Sequence, residues 1–324
     1  MSRMNIACVA SDVGPAQYIL ALQDHLEGNI RWACSELVSP WVRQRGHQVV
    51  PVDQAVRGAD VLVVGTSIGW TIDKSSMAMA RTTHVPSVAV IDHWTWYRER
   101  FLIGTDLELP DHIFLNDRWA LQGAESAGLP RHRLESLGNP VLEQMALQGK
   151  VIAAARLQPA LSDAIVFVSE ALTGDALFRG SRQLRHSEFE VLEAILNCCD
   201  ANDQVIVKLH PTESAEKFKF LGSRVRVVAG VSAVELAQMG RVFVGLGSMM
   251  LLELAALGCR VFHVEIFADE EFIGGRLGAT TPIKELSELG EAMSASNPRL
   301  REFARAFLGS AKRISTRIEE IASS

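Results

Sequence analysis

Two strand-to-loop junctions in the second half of the chain contain residues suited to binding an anion. In the first, the apolar run VIV ends in KLHP, which contains Lys208 and His210. In the second, the run VFVG leads through Gly247 and Ser248 into a helical pattern that begins at Met249. A helix start offers unpaired backbone N–H groups and the positive end of the helix dipole, so it suits a phosphate. Lys208 lies two residues before His210, on the same face of the strand, and could add positive charge.

Each of these residues also has a purely structural interpretation. His210 could end a strand, because Pro211 prevents its continuation, and Lys208 could form an ion pair at the sheet edge. Ser248 could cap the helix that follows it, although a capped helix start still binds anions. Glu265 follows another apolar run of this half. It could contact sugar hydroxyls, or it could belong to a solvated acidic helix start.

Polar residues also follow the predicted strands of the first half. Asp12 comes directly after the first strand, in a loop that opens a helix with Pro15 in its first turn. Ligands of open parallel sheets bind beyond the carboxyl ends of the strands, so this loop is expected to face one. Asp12 could act as a general base toward a hydroxyl, or it could only cap the helix. Thr66 and Ser67 follow a neighbouring strand and are predicted to line the same edge.

The most unusual segment of the first half is DHWTWYRER, which follows the apolar run VAVI. Asp92 and His93 could orient and tune a general acid or base. Arg98 and Arg100 could pair with a carboxylate or phosphate, and Trp94 or Trp96 could stack on a sugar ring. The alternative is an amphipathic loop whose aromatic side chains form a small core of their own. The density of polar groups just past a strand end favours the functional interpretation.

Short apolar runs alternate with helical patterns along the chain, and the runs are continuously apolar, which is typical of parallel strands covered on both faces. The predicted strands are residues 5–11, 30–35, 48–52, 60–66, 86–92, 112–116, 164–169, 204–209, 225–228, 242–246 and 260–264. The predicted helices are residues 16–26, 40–45, 74–83, 117–127, 141–157, 181–199, 233–239, 249–257, 284–295 and 298–321. The sequence Gly138-Asn139-Pro140 interrupts the pattern. We therefore predict two doubly wound, Rossmann-like α/β domains, 1–140 and 141–324, whose strand ends face a central cleft. The second includes the long terminal helix.

Composition excludes several classes of function. The 324 residues include 32 Lys and Arg against 38 Asp and Glu, a net charge of −6 with no basic block, which argues against nucleic-acid binding. The five cysteines lack C-x-x-C spacing, and no signal-peptide pattern opens the chain, so a cytoplasmic protein is expected. The sequence has no P-loop, HExxH or paired Asp-x-Asp motif, so neither a metal nor a cofactor is predicted. A G-x-G-x-x-G fingerprint after the first strand is also missing, which disfavours a nicotinamide dehydrogenase.

These patches together resemble the GT-B superfamily of nucleotide-sugar enzymes. Gly138-Asn139-Pro140 resembles the Gly-Asn-Pro or Gly-Asn-Thr that ends the N-terminal domain in several branches. Lys208-Leu209-His210-Pro211 resembles the His-Pro motif of bacterial sialyltransferases and glycerophosphate polymerases, which favours a cytidine nucleotide. Gly247-Ser248 with Glu253 and Gly258 resembles the Ser-x-x-x-x-Glu-x-x-x-x-Gly turn and helix of the superfamily. The Asp12 loop departs from the Gly-Gly or His-bearing loop of several glycosyltransferases.

The resemblance implies roles for these residues. The side chain of His210 and the N–H groups around Gly247, Ser248 and Met249 would meet the donor phosphate, and Glu253 would bind the ribose hydroxyls. The implied function is metal-independent glycosyl transfer from a uridine or cytidine sugar nucleotide, with Asp12, Asp92 or His93 supplying the acid–base group. The acceptor is a glycan, lipid or protein, and peripheral association with a membrane stays open. A 2-epimerase, a hydrolase, or a non-catalytic sugar-nucleotide-binding protein are the alternatives. A periplasmic-type binding protein is disfavoured by the lack of an export signal.

Overall fold

The computed structural model describes residues 3–69, 71–155, 164–170, 172, 184–200, 203–267, 271–294 and 300–324. The chain divides into two compact units. The first comprises Met1–Val141 and Gly309–Ser324, and the second comprises Leu142–Leu308. Parts of the helices predicted over 141–157, 181–199, 284–295 and 298–321 lie outside the described residues.

The first unit is built on a parallel sheet with the strand order β2-β1-β3-β4-β7-β8. Its strands are β1 Asn5–Ala10, β2 Asn29–Cys34, β3 Val61–Val64, β4 Ser87–Val90, β7 His112–Leu115 and β8 Leu134–Ser136, and Leu102–Ile103 pairs antiparallel with Asp106–Leu107 as β5 and β6. Its helices are α1 Val13–Leu20, α2 Ser39–Gln44, α3 Val52–Val56, α4 Ile72–Thr82, α5 Arg118–Ser126 and the terminal α13 Ser310–Ala322. Strands β1, β3 and β4 are buried on both faces, which explains their continuously apolar sequences.

The second unit repeats the architecture with the strand order β11-β10-β9-β12-β13-β14, all parallel. Its strands are β9 Ala164–Val168, β10 Val205–Lys208, β11 Val225–Val228, β12 Gly240–Gly245, β13 Val261–Val264 and β14 Thr281–Ile283. Its helices are α7 Glu188–Asn197, α8 Ala233–Met239, α9 Met249–Ala256, α10 Ile273–Arg276, α11 Leu289–Ser294 and α12 Leu300–Ala306, and α6 Pro140–Ala155 leads into it from the first unit. The predicted fold class, two Rossmann-like parallel-sheet units, is therefore confirmed.

Two element predictions are wrong. Residues 48–52 do not form a strand: Val49 makes a single parallel bridge to Trp32, and helix α3 begins at Val52. The single helix predicted over 298–321 is two helices, α12 and α13, because Gly309 has a left-handed φ of +80°.

The terminal helix α13 also belongs to the first unit, whereas the sequence assigned it to the second. Its buried stripe of Ile314, Ile318 and Ile321 packs into the hydrophobic core of the first unit. At the surface of that unit, Arg317 Nε donates to Glu135 Oε2 at 2.8 Å. The helical periodicity was sufficient to predict an amphipathic helix, but periodicity does not identify the sheet that an apolar stripe covers.

Candidate functional site

Three adjacent strands of the second unit bring the predicted anion-binding residues to one sheet edge. In the parallel register, Lys208 pairs with Val168, and Val168 pairs with Gly245. Lys208 at the end of β10, Glu170 after β9 and Gly247 after β12 therefore follow neighbouring strands at their carboxyl ends. Glu265 follows β13 at this edge too, where its backbone N–H donates to Ile283 O at 3.0 Å.

The start of helix α9 leaves backbone donors available for a ligand. Ser248 is the N-cap, and its Oγ accepts from Met250 N at 3.3 Å. Gly247 N donates to Glu170 Oε1 at 3.1 Å. The N–H groups of Ser248 and Met249 make no hydrogen bond to any other described residue. This turn therefore combines a side-chain cap with two open donors, the arrangement that binds anions at helix starts.

Two residues of opposite charge, Lys208 and Glu253, lie near this turn and affect each other's pKa. Lys208 is only 7% exposed, and its ammonium group makes no hydrogen bond or ion pair with another described residue. Burial lowers the pKa of Lys208, and the nearby Glu253 raises it. Burial raises the pKa of Glu253 to about 7, against the opposing effect of Lys208. An ammonium group without a close partner in the described structure is suited to a phosphate ligand.

Glu213, which the sequence analysis missed, fixes the His-Pro turn. Its Oε2 accepts from His210 N at 2.7 Å, and its Oε1 accepts from Ser169 Oγ at 2.9 Å and from Lys217 Nζ at 2.5 Å. The carboxylate therefore ties the ends of β9 and β10 together. His210 is half-buried, with Nδ1 lying 2.8 Å from Thr212 Oγ1, and the structure places it at the predicted edge.

In the first unit, the central residue of the polar cluster is Asp73, which the sequence did not single out. Asp73 lies in the first turn of α4 and is only 1% exposed. Its Oδ1 accepts from Ser11 Oγ at 2.8 Å, and its Oδ2 accepts from Thr71 Oγ1 at 3.2 Å. Burial raises the pKa of Asp73 to about 6, with hydroxyls of Ser67, Ser11 and Thr71 lowering it and Asp12 raising it. A carboxyl group that titrates near neutrality is suited to proton transfer.

Asp92 lies beside Arg100, as the segment after β4 folds back over the sheet edge. Arg100 Nη1 is 3.5 Å from Asp92 Oδ1 and donates to Thr66 O at 2.8 Å. Arg100 is buried, so it holds the loops after β3 and β4 together. Burial raises the pKa of Asp92, Arg100 lowers it, and Asp12 raises it. Asp12 itself is exposed at the N-cap of α1 but makes no side-chain capping bond.

His93 and the neighbouring aromatic residues have structural partners. His93 Nδ1 lies 2.9 Å from Thr95 Oγ1, and burial, then Arg100, lowers the pKa of His93 to about 3. The imidazole is therefore neutral near pH 7, so it can accept a proton but does not supply one as an imidazolium. Trp94 is buried and its Nε1 donates to Asp117 Oδ2 at 2.9 Å, which gives this ring a packing role. Arg98 is exposed.

The sequence-predicted residues thus fall into two groups, one in each unit. In the first unit, Thr66, Ser67, Asp92, His93 and Arg100 follow adjacent strands, with Asp12 close enough to affect two carboxyl groups. In the second, Lys208, His210, Gly247, Ser248 and Met249 follow adjacent strands. Three further residues, Asp73, Glu170 and Glu213, were missed. Glu170 had a signal in the sequence, because it directly follows an apolar strand, as Asp12 and Asp92 do.

Comparison with known proteins identifies the fold. Neither a protein-family model nor a curated protein matches the sequence. Solved structures do match. UDP-GlcNAc 2-epimerase from Methanocaldococcus jannaschii, in complex with UDP-GlcNAc and UDP, has a TM-score of 0.67 at 11% identity, covering 98% of this chain and 100% of that one. The UDP-GlcNAc 2-epimerase from Neisseria meningitidis, bound to UDP-GlcNAc, has a TM-score of 0.67 at 13% identity. The match covers 98% of this chain and 100% of the epimerase chain. The glycotransferase of kitacinnamycin has a TM-score of 0.64 at 16% identity, with 98% of each chain covered.

These likenesses span both units and show that the chain has the GT-B fold, as its resemblance to that superfamily implied. Within the described residues, no helix is long and apolar enough to cross a membrane, and no three His, Cys, Asp or Glu side chains are grouped to hold a metal ion.

Proposed function

We propose that this protein is an enzyme that acts on a nucleotide-activated sugar, and that its second unit binds the nucleotide. The observation that supports this most directly is the pair of open N–H groups at Ser248 and Met249, with the unpartnered Lys208 at the end of a nearby strand. Donors fixed in place stabilise charge that builds on a departing phosphate, so the proposed reaction is metal-independent. His210 would complete the phosphate contacts, and Glu253 would accept from the ribose hydroxyls.

The proposed reaction is transfer of the glycosyl group to an acceptor held by the first unit. Burial raises the pKa of both Asp73 and Asp92, which makes either carboxylate a stronger base toward an acceptor hydroxyl. The neutral His93 is a further proton acceptor. A cytoplasmic enzyme of surface-polysaccharide or glycoconjugate synthesis fits this chemistry, with a glycan, lipid or protein as acceptor.

The first experiment measures thermal stabilisation of the purified protein by UMP, UDP, CMP, CDP, GDP and NAD. Selective stabilisation by a uridine or cytidine nucleotide, weakened in Lys208→Met, His210→Ala and Ser248→Ala, supports the site. Ser232→Ala is the matched control. It removes the equivalent side-chain cap of α8, where Ser232 Oγ accepts from Glu235 N at 3.3 Å, and so measures the effect of losing a cap alone. If none of these nucleotides raises the melting temperature at millimolar concentrations, nucleotide binding is refuted.

Epimerisation at C2 of the sugar is the second candidate, because the structural neighbours include UDP-GlcNAc 2-epimerases. Inverting this carbon breaks and re-forms a C–H bond, which requires proton donors and acceptors such as Asp73 and Asp92. Incubation with UDP-GlcNAc in D₂O without an acceptor separates the candidates. Deuterium at C2 of the recovered sugar indicates epimerisation, whereas a transferase leaves the sugar unlabelled until an acceptor is added.

A further inference from the structure

A carboxylate already occupies part of the proposed phosphate-binding turn. Glu170 follows β9, the strand between β10 and β12, and its Oε1 accepts from Gly247 N at 3.1 Å. A Cβ built on Gly247 would lie 3.9 Å from both carboxylate oxygens of Glu170, so the carboxylate lies against the backbone of the turn. An anion of the protein therefore uses a donor that is adjacent to the two open ones at Ser248 and Met249.

The surroundings of Glu170 add negative charge and neutralise little of it. Glu213 and Glu188 both raise the pKa of Glu170. The nearby cation, Lys217, is engaged with those two carboxylates, at 2.5 Å from Glu213 Oε1 and 2.8 Å from Glu188 Oε1, and it reaches Glu170 only through the backbone oxygen, at 3.3 Å. On the flanking elements, Lys208 lies at the end of β10 and Glu253 lies in α9. Burial is the largest cause. Together with the two neighbouring carboxylates it outweighs the hydrogen bond from Gly247 N, which lowers the pKa, and raises the pKa of Glu170 to about 7.

We propose that Glu170 is the residue that couples phosphate binding at this turn to uptake of a proton. The ionised carboxylate competes for Gly247 N–H and repels an incoming phosphate. The protonated carboxyl group removes that repulsion and donates its proton as a hydrogen bond to a phosphate oxygen. Binding of an anion therefore draws one proton from solvent onto Glu170, and no covalent bond changes. This inference rests on the proposed function, because it concerns the same turn.

The affinity for a phosphate ligand is therefore expected to fall as the pH rises through neutrality. Glu170→Gln keeps an oxygen that accepts from Gly247 N and an amide group that donates, but it removes the titration. At high pH the variant is expected to bind the ligand with the affinity that the wild type has at low pH. Glu235→Gln is the matched control, because Glu235 Oε2 also accepts from a backbone N–H at a helix start, that of Ser232 at 2.9 Å, whereas Gly247 N donates to Glu170.

The experiment is calorimetric titration of the full chain with UDP-GlcNAc, whose diphosphate keeps a constant charge between about pH 6 and 8.5. Repeating it in buffers of different ionisation enthalpy measures the protons taken up. For the wild type we expect Kd to weaken about thirtyfold across this range, with proton uptake approaching one per ligand at the upper end. We expect a flat pH profile of Kd and no proton uptake for Glu170→Gln, and retained proton uptake for Glu235→Gln. Carboxyl ¹³C NMR of the wild type should show the Glu170 pKa rising when UDP-GlcNAc binds, and this readout needs no variant.

The outcomes separate the two proposals. Binding without proton uptake, or an unchanged pH profile in Glu170→Gln, overturns the role of Glu170 and leaves the proposed function intact. Failure of a folded Glu170→Gln to bind also overturns it, because the residue would then be a required ligand contact. Absence of binding of both UDP and UDP-GlcNAc at every pH refutes UDP-sugar binding itself.

Discussion

The carboxylate of Asp92 lies directly against the backbone of Gly14. A Cβ built on Gly14 would be 2.3 Å from Asp92 Oδ2, far inside van der Waals contact. Gly14 is in the first turn of α1, so the helix that follows β1 and the loop that follows β4 meet at this point. The missing side chain of Gly14 therefore sets the position of a candidate catalytic group.

The substitution Gly14→Ala is expected to displace Asp92 and to destabilise the first unit by about 1–3 kcal/mol through overpacking. Chemical denaturation of Gly14→Ala, Asp92→Ala and the double variant measures this as a double-mutant cycle. Because Asp92→Ala removes the colliding oxygen, the double variant should recover about 1 kcal/mol or more relative to the sum of the single changes. Strict additivity would show that the two residues do not collide.

Glu213 is expected to be important for the stability of the second unit, because three donors converge on a carboxylate that is 2% exposed. Glu213→Gln replaces one acceptor oxygen with an amide donor that faces other donors. We expect a loss of about 2–4 kcal/mol in the free energy of unfolding. The control is Glu216→Gln, because Glu216 pairs with Lys219 but is 67% exposed. This variant should change the free energy of unfolding by less than about 0.5 kcal/mol. Similar losses in both variants would contradict this role.

Glu253 is expected to make the stability of the protein depend on pH. Its folded pKa of about 7 lies above the ordinary value of 4.5, so the folded state holds the proton more tightly than the unfolded state. The resulting stabilisation is complete below about pH 4.5 and is lost as the pH rises to about 7. Glu253→Gln should therefore be more stable than the wild type above pH 7, by at most about 3 kcal/mol. Its free energy of unfolding should also depend less steeply on pH between about pH 5 and 7.

Glu235 supplies the control for this experiment. Its hydrogen bonds to Ser232 lower its pKa, so its stabilising effect is lost only as the pH falls below its ordinary range. Glu235→Gln should therefore leave the slope between about pH 5 and 7 unchanged. An equal change of slope in both variants would contradict the assignment to Glu253.

His93 is expected to stay uncharged at and above about pH 5. Its folded pKa of about 3 lies below the ordinary 6.5, so its contribution to stability is present above pH 6.5 and is lost as the pH falls toward 3. The ¹⁵N chemical shifts of the His93 ring should report a neutral imidazole at pH 5.5, with the proton on one nitrogen only. Titration of this ring with a midpoint above pH 6 would contradict the burial that lowers its pKa.

The sequence predicted the central strands of both sheets well because these strands are buried on both faces and are therefore continuously apolar, as in β1 and β12. The edge strands β8 and β14 were missed because Leu134–Ser136 and Thr281–Ile283 are short and contain one or two apolar residues each. Residues that follow strands could be singled out, but their partners could not. The bonds of Asp73 to Ser11 and of Glu213 to Ser169 join residues that are distant in the chain, and sequence spacing contains no signal for such pairs.

The attachment of the terminal helix to the first unit depends on Gly138. Gly138 has a φ of +113°, and a Cβ built there would lie 2.1 Å from Ser310 Oγ, at the start of α13. Gly138→Ala should therefore incur both backbone strain and a collision, which together lower the free energy of unfolding by about 2–4 kcal/mol.

Gly46→Ala is the matched control, because Gly46 has a φ of +82° with nothing within 4 Å of the added Cβ. Gly46→Ala should lower the free energy of unfolding by only about 1 kcal/mol, the effect of placing alanine at a positive φ. Urea denaturation of the two variants measures the difference between their free energies of unfolding. Adding Ser310→Gly to Gly138→Ala removes the colliding hydroxyl and should restore most of the stability lost through the collision. Equal destabilisation by the two alanines would show that the close approach of Gly138 to α13 contributes nothing beyond its backbone conformation.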